Sequence, residues 1–136
     1  MSNQIFPHHS NDTDKHVAIA VIDRHYLNLL MVEQKASSKW GLPKGHLERN
    51  ERAWTGAVRE LQEETNLSLK RVRHRIVSRK RSIFTVQLLE DFHELRPDAA
   101  EISQVGWRSI AEMRLDASRH PDKYNMWLKI FFTQST

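Results

Sequence analysis

Three glutamates, Glu60, Glu63 and Glu64, stand at i, i+3 and i+4, with Arg59 directly before them. On a helix turning about 100° per residue, this spacing sets the three carboxylates side by side. Like charges so placed repel by about 0.2–0.5 kcal/mol per pair. Glu63 and Glu64 also meet the negative end of the helix dipole, at a further cost of about 0.3–1 kcal/mol each. A divalent cation reverses both effects, since hard cations take carboxylate oxygens and magnesium completes its shell with water and substrate phosphates. A solvated acidic helix face is the other reading that the glutamates alone leave open.

The elements around these residues follow from periodicity. Ala53, Trp54, Ala57, Val58 and Leu61 fall on one stripe, so Glu51–Thr65 reads as an amphipathic helix whose carboxylates rim its core face. Two branched-residue strands precede it, His16–Asp23 and Tyr26–Glu33. Lys35–Lys39 reads as a polar loop, and WGLPKGHLERNE, with Pro43 between Gly41 and Gly45, reads as another. After the helix, Leu67–Val77 and Ser82–Glu90 read as strands around a basic turn, SRKR. A loop with Pro97, a strand over Ile102–Trp107, a short helix over Ile110–Leu115 and a terminal helix over Pro121–Phe132 complete the chain. Residues 1–14 read as a loose tail with His8 and His9 solvated, and 15–136 as a single domain.

Composition narrows the class. The absence of cysteine excludes disulfides, thiolate zinc sites and a cysteine nucleophile. The N-terminus has no apolar signal-peptide run, and Val17–Ile22 is far short of the ~20 residues of a membrane span. A cytoplasmic protein with no membrane partner is expected. The net charge of +4 is local: Lys70, Arg71, Arg73, Arg75, Arg79, Lys80 and Arg81 crowd into one acid-free segment. The other 14 Lys and Arg face 17 Asp and Glu, so a slightly acidic body carries one basic patch. Such a patch suits an anionic partner, or guards a solvated sheet edge.

The spacing extends beyond the glutamates. Gly45 is followed after five residues by Glu51, and then after seven by Arg59-Glu60-Leu61-Gln62-Glu63-Glu64-Thr65-Asn66-Leu67. This resembles the Nudix box. Gly45, Glu51, Arg59, Glu60, Glu63 and Glu64 match its charged and glycine positions, and Leu61 and Leu67 its apolar ones. Six such matches at fixed spacing arise by chance about once in ten million positions. Asn66 departs, standing where the family has a left-handed glycine after the helix; asparagine is the best non-glycine residue there.

The resemblance implies an α/β/α sandwich with a mixed sheet between helices, and hydrolysis of a diphosphate linkage in a nucleoside diphosphate-linked substrate. It implies magnesium or manganese bound by Glu60, Glu63 and Glu64 with the Gly45 carbonyl, and Glu51 and Arg59 as ligand-orienting residues. Many members use a further glutamate outside the box as ligand or base, and Glu101 is the candidate here, with Glu63 and Glu64 as its catalytic companions. Lys44 and His46, beside Gly45, are expected to contact the phosphate chain, and Arg79 and Arg81, at the basic turn, a distal anionic part of the substrate. WGLPKGH is most similar to dinucleoside-polyphosphate hydrolases, and GHLE to nucleotide-sanitising members. A small-molecule polyphosphate is therefore the expected partner. Inositol pyrophosphates, or nucleic acid solely as an RNA 5′ end, are alternatives. A non-catalytic nucleotide- or RNA-binding module is disfavoured by the intact glutamates and by the lack of aromatic residues interleaved with the basic ones.

Overall fold

The run HVAIAVI forms strand β1, His16–Ile22, and the rest of the molecule is built against it. A computed structural model describes residues 15–134; the tail expected at 1–14, with His8 and His9, lies outside them. All but the first residue of β1 are buried, because the strand is covered on both faces. Val17, Ile19 and Val21 face one core, while Ala18, Ala20 and Ile22 face a second.

The remaining elements are β2 (Asn28–Gln34), β3 (Trp40–Gly41), β4 (Lys44–His46), α1 (Ala53–Thr65), β5 (His74–Lys80), β6 (Ile83–Leu88), β7 (Ile102–Ser109), α2 (Ile110–Arg119) and α3 (Met126–Gln134), with a 3-10 turn at Pro121–Lys123. The strands make one mixed sheet in the order β3-β2-β1-β6-β5, with β4 added to β1 and β7 to β2. Among the strands of the described residues β1 and β6 pair in parallel and the other pairs are antiparallel. Trp54, Ala57 and Leu61 of α1 pack on one face with Phe84 and Val86. Met113 of α2 and Leu128, Phe131 and Phe132 of α3 cover the other. This is the expected α/β/α sandwich.

The helix register is as the wheel requires, with Val58 half-buried beside the buried Trp54 and Leu61. Three local expectations are corrected. WGLPKGHLERNE is not all loop: Trp40–Gly41 pairs with β2 and Lys44–His46 with β1. Stretches of two and three residues carry no periodicity, so only the neighbouring strand edges create them. Leu67–Arg73 is not strand; it turns at Ser68–Arg71 and packs Leu67, Leu69 and Val72 into the α1 core. Arg71 and Arg73 therefore do not share a strand face with Arg75. The basic turn is also shorter than expected. Arg79 and Lys80 belong to β5, paired with Phe84 and Ile83, which leaves Arg81–Ser82 as the loop.

Candidate active site

Helix α1 approaches β4 closely because glycines stand where the two meet. A Cβ on Gly45 would lie 2.0 Å from Cδ of Glu60 and 2.2–2.4 Å from its carboxylate oxygens. Glycine alone lets that carboxylate rest against the strand. Gly56 likewise admits Leu47, whose Cδ2 would lie 2.3 Å from an added Cβ.

Glu64 is the deepest carboxylate, 3% exposed, and its Oε1 accepts the Lys44 N–H at 3.2 Å. Burial pushes its carboxyl up to about 8; the charges of Glu60 and Glu101 act in the same direction, and the Lys44 N–H and ammonium oppose them. Glu60 is raised too, first by burial, with Glu63 and Glu101 adding and Arg59 opposing.

Arg59 frames the site. Its Nε and Nη2 donate to the two Glu51 oxygens at 2.8 and 2.9 Å, and Nη2 also donates to the His46 carbonyl at 2.9 Å. Its Nη1 reaches Glu60 at 3.1 Å and Glu63 at 3.2 Å. The bond from Arg59 holds the Glu51 carboxyl below its usual range against the effect of burial. One planar guanidinium thus ties α1 to the preceding loop and to β4.

Glu63 is half-exposed and turned to Arg59. Among the described residues no three acidic or histidine side chains converge as a ready metal cage. The groups brought together are the Glu60 and Glu64 carboxylates and the Gly45 backbone. That set fits a hard cation taking one or two carboxylates, with water and phosphate oxygens for the rest.

The family model of the NUDIX domain matches residues 12–128. The chain belongs to the Nudix family. As a Nudix pyrophosphohydrolase it shares its fold with solved structures of low identity. An Ap4A hydrolase from C. elegans is 17% identical, with 73% of this chain and 83% of that one covered, at a TM-score of 0.58. A Deinococcus radiodurans protein is 16% identical over 88% and 79%, at 0.68. A bifunctional NMN adenylyltransferase/ADP ribose pyrophosphatase from Francisella tularensis is 22% identical, with 87% of this chain and 39% of that one covered, at 0.60. No curated protein matches.

In this Nudix chain the other expected residues take distinct places. Glu101, exposed just before β7, is close enough for its charge to raise both Glu60 and Glu64. Lys44 and His46 pair with Ala18 and His16, so the pleat turns them to the sheet face opposite Gly45 and Glu60. The His46 ring lies 4.1 Å from that of His16 and is not brought to the carboxylates. Arg79 lies over the Phe84 ring at 4.7 Å. The hairpin loop that follows stands beside β1, where the Ser82 carbonyl accepts the Ala18 N–H at 2.9 Å. Ala18 pairs with Lys44 across its other edge, so the loop lies two strand spacings, about 10 Å, from β4.

Asn66 has a second task that sequence reasoning missed. It takes the left-handed conformation, φ 71°, and closes α1 through its N–H to Gln62. Its side chain also donates to the Glu94 carbonyl at 2.8 Å and accepts from Arg96 at 3.0 Å. The loop leading to Glu101 is thereby fastened to the end of α1. Nothing local in the sequence signals partners 28 and 30 residues away.

Proposed function

We propose that this chain hydrolyses a diphosphate linkage in a nucleoside polyphosphate, preferably a dinucleoside polyphosphate, using magnesium or manganese. The observation that carries the reading is the buried Glu64 carboxylate beside Glu60, with Gly45 kept bare to receive the Glu60 carboxylate. Glu60 and Glu64 would hold the ion with the Gly45 backbone, joined by Glu63 once it turns from Arg59. When bound, the ion neutralises phosphate charge and acidifies the attacking water. Glu101 accepts the proton of that water as general base. Glu51 and Arg59 hold Glu60 in place, Lys44 fixes Glu64 through its N–H, and His46 holds Arg59 through its carbonyl. The substrate class is supported by the likeness of WGLPKGH to dinucleoside-polyphosphate hydrolases and by the nearby basic hairpin, which also suits inositol pyrophosphates and RNA 5′ ends.

The test is product release from a dinucleoside tetraphosphate, ADP-ribose, an inositol pyrophosphate and a 5′-triphosphate RNA, with and without each metal. Turnover should require metal and favour the dinucleoside tetraphosphate, and Glu64→Gln should lower kcat by about 10³-fold or more. Metal-independent turnover, or a fully active Glu64→Gln protein, overturns the assignment.

A further inference from the structure

The hairpin between β5 and β6 sets the cation Arg81 apart from its neighbours Arg79 and Lys80. Arg79 is half-buried over Phe84 and donates its Nε to the Arg81 carbonyl at 3.3 Å. Lys80 donates its Nζ to the Gln134 carbonyl at the end of α3, at 3.1 Å. Arg81 is exposed, and its guanidinium has no partner among the described residues.

The backbone at Arg81 is the second observation. Its φ is 56°, at the first position of a two-residue hairpin loop. That position favours glycine, and a left-handed arginine there is strained. Tyr26, Ser38, Asn50 and Asn66 also have positive φ, which asparagine tolerates; of these five, Arg81 alone carries a charge. An arginine kept where glycine would be more stable points to work for its side chain.

Position gives that work a direction. The loop lies about 10 Å from β4, across β1, on the same end of the sheet as Gly45 and Glu60. A diphosphate held at Gly45 falls short of the loop, whereas a longer phosphate chain spans the gap.

We propose that Arg81 is a distal anion subsite that selects substrates by the length of their phosphate chain, with Arg79 as the positioning residue that braces the loop beneath it. This deepens the proposed function and rests on it for the place of the reacting phosphates. A single exposed charge contact is worth a modest factor, and ionic strength weakens it because charges are screened over about 8 Å at physiological salt.

The test is Arg81→Gly in the full chain, with kcat and KM measured for a dinucleoside tetraphosphate and for ADP-ribose at low and high salt. The KM for the long substrate relative to the short one should rise about three- to tenfold at low salt, converging at high salt, with kcat little changed. The melting temperature should stay level or rise as the backbone strain is relieved. An equal effect on both substrates, or none, overturns the subsite. If the wild-type protein hydrolyses neither substrate, the proposed function fails. The subsite is then judged by calorimetry with inorganic tetrapolyphosphate and pyrophosphate. Weaker binding of the tetrapolyphosphate alone on Arg81→Gly supports it, and unchanged binding overturns it.

Discussion

Glu64 joins two facts that oppose one another in the metal-free protein: it is buried, and its neighbours are anionic. Its carboxyl ionises near 8 when folded and at 4.5 in its ordinary state. The folded state therefore holds the proton more tightly than the unfolded one. Its stability contribution is complete below pH 4.5 and is lost as pH rises through about 8. Metal-free wild-type protein should lose stability over that window. Glu64→Gln, which resembles the protonated acid, should flatten the profile and be more stable at pH 8 by about 2–5 kcal/mol. Denaturant melts of both proteins between pH 5 and pH 9 in chelator check this. Parallel profiles would mean that Glu64 is ionised in the folded protein without penalty.

Between α1 and β4 the controlling feature is the closeness of two elements. Gly45→Ala forces a methyl group into the space of the Glu60 carboxylate, which is the far end of a flexible side chain. Glu60 can swing away, so the fold should lose no more than about 1 kcal/mol. The same swing removes Glu60 from the metal-binding set, so manganese affinity measured by calorimetry should fall at least about tenfold. Unchanged affinity would show that the close approach serves packing alone. The contact is small in area but decides where a charge sits, which is why its effect is larger on binding than on stability.

For the whole molecule, the proposed metal would bridge β4, the end of α1 and the loop to Glu101 that Asn66 ties down. A ligand that binds only the folded state stabilises it by about 2.7 kcal/mol at a hundredfold excess over its Kd. Manganese should therefore raise the melting temperature of the wild-type protein by several degrees and that of Glu60→Gln/Glu64→Gln by much less. Equal shifts in both would place the binding ion elsewhere. Among the described residues no helix is long and apolar enough to cross a membrane.

The order of the main elements, the amphipathic register of α1 and the placing of Glu60 and Glu64 along it were legible in the sequence. These depend on local periodicity and fixed spacing along one helix: Trp54, Leu61 and Glu64 take their places because 100° per residue leaves no choice. Asn66 was legible as a left-handed cap for the same local reason. The rest required strands to meet. Trp40–Gly41 and Lys44–His46 become strands only because β2 and β1 offer them unpaired edges. The facing of Lys44 and His46 away from Glu60 follows from their pairing with β1, and the division of Arg79 from Arg81 follows from the pairing of Arg79 and Lys80 with Phe84 and Ile83 of β6. Side chains in a strand alternate with period two, so a single-residue change in register reverses every face, and register is set by partners distant in the chain.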